Sequence, residues 1–196
     1  MGNREDTTDR ILTAALDLLA TEGFSALGIN PIARRAEADK QLIYRYFGGM
    51  EGLLSALGRK VAARLTAALS TAPPASYAAM AESLLLSLLS FLRQDVQYRQ
   101  LRLMEVASPS TATEAFSQAR GEALRDWLSH TAEGLTPPPG LDIFALNATL
   151  IAAVEGLVIL GSVGLTGPDI ATRQEAALKH IIRATYGDAT SVLTKP

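Results

Sequence analysis

Residues 29–47 constrain the fold of this chain more than any other segment. They read Ile-Asn-Pro-Ile-Ala-Arg-Arg-Ala-Glu-Ala-Asp-Lys-Gln-Leu-Ile-Tyr-Arg-Tyr-Phe. Apolar residues recur at helical spacing in two short runs, residues 29–36 and 43–47. Asp39 stands before the second run, where its carboxylate can cap a helix. The segment therefore predicts two short helices joined by a tight turn.

The second of these helices combines an apolar side with a polar one. Ile43 and Phe47 are four residues apart and share a buried face. Hydrogen-bond donors project to the other sides: Lys40, Gln41, Tyr44 and Arg45. This distribution is typical of a helix-turn-helix that reads the major groove. A short amphipathic helix pair with arginines also occurs in proteins that bind no DNA, so the pattern alone leaves that alternative open.

A longer stretch, residues 11–54, resembles the DNA-binding region of the tetracycline-repressor (TetR) family. The residues that carry the resemblance are Ile11-Leu12-Thr13-Ala14-Ala15, Gly23-Phe24, Ile32-Ala33, Tyr44-Arg45-Tyr46-Phe47 and Glu51-Gly52-Leu53-Leu54. They follow the family order without a gap. Beyond about residue 60 the resemblance consists only of length and helical organisation.

The resemblance implies an all-α protein of about nine helices. A three-helix DNA-binding head would span residues 1–48, and a ligand-binding and dimerising body would span residues 49–196. The implied function is a cytoplasmic, ligand-responsive transcriptional repressor that binds a palindromic operator as a homodimer and is released by a small molecule. DNA contacts are expected from Asn30, Lys40, Gln41, Tyr44, Arg45 and Tyr46. No catalytic residue, metal or cofactor is expected.

Four residues depart from the family pattern. Glu37 stands where the turn usually has glycine, and a left-handed backbone there would cost roughly 1 kcal/mol. Gly28 replaces the usual serine or threonine cap of the second helix. Met50 replaces a common lysine at the start of the fourth helix, and Leu42 takes a position that is often small or hydroxylic.

Composition fits a compact protein with a local rather than a global affinity for nucleic acid. The chain has 196 residues, 48% of them hydrophobic, and a net charge of −2. Within residues 31–47, four basic residues (Arg34, Arg35, Lys40, Arg45) oppose two acidic ones, for a local charge of +2. The absence of cysteine excludes disulfide and thiolate chemistry.

The rest of the chain predicts further helices. The first opens at residues 8–9 and ends at Gly23, and the fourth runs from Glu51 to the Pro73-Pro74 exit. Further helices are predicted over residues 76–93, 96–106, from 110 or 111 onward, 142–165 and 168–186, with loops at 134–140 and 164–168. The apolar stretch 143–165 is long enough to span a membrane, but Asn147, Glu155 and three glycines favour a buried helix.

The last two predicted helices carry the candidate dimer interface. Small residues form a stripe at Ala145, Ala148, Ala152 and Gly156, which lets helices approach closely. An apolar ridge follows at Leu178, Ile181 and Ile182. Packing within one chain is the alternative, and the family resemblance favours the dimer.

Candidates for an effector pocket lie in the body, between the fourth and eighth helices. They are Phe91, Met104, Glu105, Trp127 and Asn147. The body's composition suggests an apolar or amphipathic compound. The alternative for each residue is core packing, or for Glu105 an ion pair with Arg102 or Arg99.

Two other classes of protein compete with a regulator. An enzyme would need a metal or acid–base cluster, but the chain has only His130 and His180, on separate predicted helices and without ligand spacing. It also has no phosphate-binding glycine loop. A helical adaptor would have no use for the polar face of residues 40–46.

Overall fold

The computed structural model describes residues 2–69, 74–159 and 169–187. Its elements are α1 (Gly2–Thr21), a 3-10 turn (Phe24–Ala26), α2 (Ile29–Arg35), α3 (Lys40–Phe47), α4 (Met50–Ala68), α5 (Tyr77–Gln94), α6 (Val96–Ala107), α7 (Thr111–Thr131), α8 (Ile143–Ile159) and α9 (Ile170–Tyr186). These ranges contain nine α-helices and no strand, which confirms the predicted fold class.

Helix α1 begins at Gly2, although the sequence predicted a start near Thr8. Polar residues 2–7 continue the helix rather than precede it. Glu5 lies in the first turn, where a carboxylate complements the positive end of the helix dipole. Thr7 is buried, so this extension packs against the protein instead of fraying into solvent.

The chain divides into two compact units. The N-terminal unit comprises residues 1–66 and 94–126, and the C-terminal unit comprises residues 67–93 and 127–196. The N-terminal unit extends beyond the predicted boundary after residue 48, because α6 packs against α1 and the 3-10 turn. Gln100 of α6 accepts a hydrogen bond from the Phe24 amide at 3.2 Å. Arg64 of α4 donates to Gln97 at 2.5 Å.

The core of the N-terminal unit follows the helical spacing of its apolar residues. In α1, Ile11, Ala15 and Leu19 recur every four residues, and all three are fully buried. Ile32 of α2 and Ile43 of α3 are also fully buried. These side chains fix the short helices α2 and α3 to the longer α1.

Buried residues of the C-terminal unit come mainly from α5, α8 and α9. Helix α5 contributes five leucines, Leu84, Leu85, Leu88, Leu89 and Leu92. Leu150 and Val154 of α8 are buried, as are Leu178 and Ile182 of α9. Apolar burial of this extent is the main source of stability for a helical unit.

Among the described residues, no helix is long and apolar enough to cross a membrane. The apolar stretch 143–165 forms α8 as far as Ile159. Residues 160–165, the predicted loop 164–168 and Pro73 of the predicted exit lie outside the described residues. The other predicted loop, residues 134–140, joins α7 to α8 and contains two glycines with positive φ.

Candidate nucleic-acid interface

The turn between α2 and α3 is defined by backbone contacts and one side-chain cap. The Ala38 amide donates to the Ala33 carbonyl at 3.0 Å, which closes the end of α2. Asp39 then accepts a hydrogen bond from the Gln41 amide at 2.8 Å and caps α3, as the sequence predicted. Gly48 ends α3 in the left-handed conformation, with φ of 76°.

At two of the four positions that depart from the family pattern, the structure shows the backbone features that the sequence predicted. Gly28 caps α2 in an extended conformation and makes no side-chain hydrogen bond. Glu37 has φ of 49°, in the left-handed region that favours glycine. A β-carbon there costs about 1 kcal/mol, so the turn is held in place by the packing on either side of it.

Burial on one side of α3 leaves its polar side chains facing solvent. Ile43 is fully buried. Four predicted DNA contacts of this helix are exposed, Lys40, Gln41, Tyr44 and Arg45. At about 100° per residue these four span roughly 140° of the helix, and Ile43 lies outside that arc. We call this arc the polar face of α3.

The remaining two predicted DNA contacts differ in exposure. Asn30 of α2 is exposed. Tyr46 is only half-buried, and the guanidinium carbon of Arg45 lies 5.9 Å from the centre of its ring. An arginine at this distance makes a cation–π contact. The ring of Tyr46 therefore contacts Arg45, and the hydroxyl of Tyr46 stays a predicted DNA contact.

Arg35 was counted in the local charge of +2, but its positive charge is paired with carboxylates of the same unit. Its guanidinium pairs with Asp17 of α1 and, at 2.5 Å, with Glu22, which directly follows α1. A further hydrogen bond reaches the Thr21 hydroxyl at 3.2 Å. These bonds join the end of α2 to the end of α1, so the charge of Arg35 is offset within the unit.

One structurally important glycine is not among the residues predicted from the sequence. Gly52 lies in the first turn of α4, and a β-carbon on it would overlap the carbonyl oxygen of Phe47 and lie 2.9 Å from the carbonyl carbon. The end of α3 therefore approaches α4 more closely than any side chain allows. Gly52 belongs to the family motif at residues 51–54, but nothing local in the sequence reveals this approach.

The candidate dimer interface is partly exposed and partly buried within the chain. Ala145, Ala148 and Ala152 are exposed, and Phe144 beside them has 76% of its surface exposed. On α9, Ile181 is 47% exposed. Two predicted contacts need correction: Leu178 and Ile182 are buried by their own chain and offer no surface to a partner.

The five candidate effector contacts fall in different units. Phe91, Trp127 and Asn147 belong to the C-terminal unit, and the first two are half-buried. Met104 and Glu105 belong to the N-terminal unit, where Met104 is buried and Glu105 pairs with Arg102. This ion pair is the alternative that the sequence left open for Glu105.

Asn147 connects two tyrosines within the C-terminal unit. Its amide nitrogen donates to the Tyr77 hydroxyl at 2.8 Å, and its oxygen accepts from the Tyr186 hydroxyl at 2.6 Å. Asn147 was predicted to orient a ligand, but its amide already bonds on both its donor and its acceptor side. It also lines a cavity of about 10 Å³, with Met80, Ala81, Leu84, Leu85 and Ile151. A cavity this small holds at most about one water.

Burial, with a smaller contribution from neighbouring Tyr77, raises the pKa of Tyr186 to about 12. The unfolded value is about 10, so the folded state holds this proton more tightly. The contribution of Tyr186 to the free energy of unfolding is therefore fully present below about pH 10 and is lost as the pH rises toward 12.

Tyr186→Phe should lower stability by about 1 kcal/mol at neutral pH, because it removes the hydrogen bond to Asn147. Urea unfolding of both proteins should show this gap narrowing between about pH 10 and 12. The difference in stability between the two proteins is independent of the other groups that titrate at alkaline pH, because both proteins contain them. A gap that stays constant up to pH 12 would contradict the raised pKa.

Comparison with known proteins gives an independent view of this region. The family model described as "Bacterial regulatory proteins, tetR family" matches residues 11–57. The HTH-type transcriptional repressor Rv3405c of Mycobacterium tuberculosis is 36% identical over 72 residues. That match covers 37% of this chain and 38% of the relative, so it spans less than half of either protein.

Similarity in fold extends over most of the chain. A TetR-family transcriptional regulator from Rhodococcus sp. has a TM-score of 0.67 and 21% identity, covering 91% of this chain and 98% of that one. The regulator FadR of Bacillus subtilis, solved in complex with stearoyl-CoA, has a TM-score of 0.64 and 15% identity, covering 88% of this chain and 96% of that one.

These relatives and structural neighbours are transcriptional regulators and not enzymes. The matched residues 11–57 contain α2, the turn, α3 and the start of α4, which are the elements that build the polar face of α3. Residues 11–57 therefore match the TetR family of bacterial regulatory proteins, and 91% of the chain shares the fold of a TetR-family regulator.

Proposed function

We propose that this chain is a ligand-responsive transcriptional repressor that binds a palindromic operator as a homodimer. The observation that carries the proposal is the polar face of α3. Lysine, glutamine, tyrosine and arginine side chains are exposed together on a helix whose opposite side is locked by the fully buried Ile43. A rigid helix with donors on one side is what major-groove recognition requires.

The side chains of this face suit different parts of a DNA site. Gln41, at the start of α3, offers an amide that can bond adenine through two hydrogen bonds. Lys40 and Arg45 offer charge to phosphates or to guanine. The hydroxyls of Tyr44 and Tyr46 can bond phosphates, and Asn30 can do so from α2.

A homodimer is supported by the exposed small-residue stripe of α8. Phe144, Ala145, Ala148 and Ala152 crowd one side of the helix, and Leu150 and Val154 are buried on the other. Phe144, at 76% exposure, adds a large apolar surface that a monomer would leave in water. Ile181 of α9 adds to the exposed apolar surface.

A dimer would hold two copies of α3 for successive major grooves, about 34–36 Å apart. We infer that an effector favours a different arrangement of the two heads, through its different affinities for the two states. The stearoyl-CoA bound to the neighbour FadR supports an amphipathic class of effector. A thermal-shift screen with fatty acids and acyl thioesters tests this part, since a ligand at about 100 times its Kd stabilises by about 2.7 kcal/mol.

Replacing single residues of the polar face should separate base reading from phosphate binding. Gln41→Ala should weaken binding to the preferred operator by roughly 1–3 kcal/mol and relax the preference at one base position. Lys40→Ala should weaken operator and scrambled duplexes alike if its contact is to phosphate. Fluorescence anisotropy with a promoter fragment and a scrambled duplex measures both effects.

Gln118→Ala is a matched control, because Gln118 is an exposed glutamine on α7 of the same unit. It should leave both affinities unchanged. If Gln41→Ala and Lys40→Ala both bind the promoter fragment as the unchanged protein does, α3 is not the reading helix.

A further inference from the structure

A second arginine lies on the Tyr46 ring, and it comes from a distant part of the chain. The guanidinium carbon of Arg4, in the first turn of α1, is 5.4 Å from the ring centre. Arg45 of α3 is 5.9 Å from the same ring. The ring of Tyr46 thus brings together two guanidinium groups from separate helices, which we call the Arg4–Arg45 cluster.

The cluster carries positive charge that its own surroundings leave unneutralised. Within the described part of the chain, neither Arg4 nor Arg45 forms an ion pair with a carboxylate. Both side chains are exposed. Arg35 gives the contrast, because Asp17 and Glu22 neutralise it in place.

Stacking on a ring leaves a guanidinium able to bind a phosphate. The ring contacts the flat face of the group, and the N–H donors point outward along its edge. These donors match two phosphate oxygens at once. Contact with the ring also restricts a long side chain before it binds, so less conformational freedom is lost on binding.

We propose that Arg4 is a phosphate-contact residue of the DNA interface, acting with Arg45 across the Tyr46 ring. This inference rests on the proposed function, and it extends the interface beyond α2 and α3 to the start of α1. Phosphate contacts carry no sequence information. Arg4 therefore adds affinity for any duplex and leaves the choice of operator to Gln41 and its neighbours.

The test compares the salt dependence of DNA binding in Arg4→Gln and the unchanged protein. The probes are a duplex of about 30 bp selected for tight binding and a scrambled duplex of the same length, over about 50–200 mM salt. Each lost phosphate contact makes the negative slope of log K against log salt less steep by about 0.9. A dimer loses one contact in each protomer, so its slope should become less steep by about 1.8. Both duplexes should show the change.

Two further variants make the result specific. Arg10→Gln removes the same charge from the same helix, at a position that lines a surface pocket with Asp6, Asp9 and Asp17, and should leave the slope unchanged. Arg4→Lys keeps the charge and should retain the slope. A slope in Arg4→Gln equal to that of the unchanged protein would overturn the inference, as would an equal loss in Arg10→Gln.

The proposed function fails in a different way. If selection yields no tight-binding duplex and the unchanged protein does not bind the scrambled duplex at low salt, the proposed function fails and the inference falls with it. If it binds both and Arg4→Gln keeps the salt slope of the unchanged protein, the regulator stands and the phosphate contact at Arg4 does not.

Discussion

Replacing Gly156 by leucine is expected to convert the proposed homodimer to a monomer that binds operator about 10²–10⁴-fold more weakly. Gly156 ends the small-residue stripe of α8, and apart from its chain neighbours and its own helix backbone no described atom lies within 4 Å of a β-carbon placed on it. A β-carbon therefore has room among the described residues of its own protomer, and we expect the larger side chain to clash with the partner. Overpacking of this kind typically costs about 1–3 kcal/mol per site.

Sedimentation at micromolar concentration measures the assembly, and anisotropy measures operator affinity. Gly156→Ala is the matched control, since a methyl group keeps the stripe small and should preserve the dimer. A dimer that persists unchanged in Gly156→Leu would show that the stripe is not the interface. A monomeric unchanged protein would contradict the dimer altogether.

The second large effect is expected from Gly52→Ala, which should destabilise the protein by about 2 kcal/mol or more. The new methyl group would overlap the carbonyl oxygen of Phe47, a backbone atom that cannot rotate away. The cost should be at least the upper end of ordinary overpacking, about 3 kcal/mol. The higher helix propensity of alanine offsets about 1 kcal/mol of this loss of stability. For a chain of this size the melting temperature should fall by about 4–8 °C.

Gly52→Ala should also displace the end of α3, because the methyl group pushes against its last residue. Losing one well-placed base contact costs about 1–3 kcal/mol, or about 5- to 150-fold in affinity. Gly121→Ala of α7 is the control, since its β-carbon would meet only the flexible end of Arg125 at 3.4 Å. Equal stability of Gly52→Ala and Gly121→Ala would contradict the close approach of α3 and α4.

Local sequence patterns predicted the helix-turn-helix well, because its determinants are close together in the chain. Asp39 caps a helix that starts at the next residue, and Ile43 is buried by the spacing of its own helix. The same holds for α6, whose two ends lie within a residue of the predicted 96–106, and for the start of α4 at Met50, whereas α4 ends at Ala68, before the predicted exit. Short-range capping and periodicity decide such elements.

Interactions between distant residues were not predictable in the same way. Periodicity placed Leu178, Ile181 and Ile182 on one ridge, yet only Ile181 is substantially exposed, because tertiary packing decides which edge of a ridge is covered. Neither the pairing of Arg35 with α1 nor the stacking of Arg4 on Tyr46 has a signal in the sequence. Asn147 looked available for a ligand because its two tyrosine partners lie 70 and 39 residues away.

Selection of preferred sequences from a random duplex library tests the central claim most directly, when it is done in parallel with the unchanged protein and with Gln41→Ala. The unchanged protein should enrich a two-fold symmetric site whose half-sites lie about one helical turn apart, or a multiple of it. Gln41→Ala should enrich the same site with the preference lost at one base position in each half. Failure of the unchanged protein to enrich any sequence, or an identical site from both proteins, would contradict α3 as the reader of an operator.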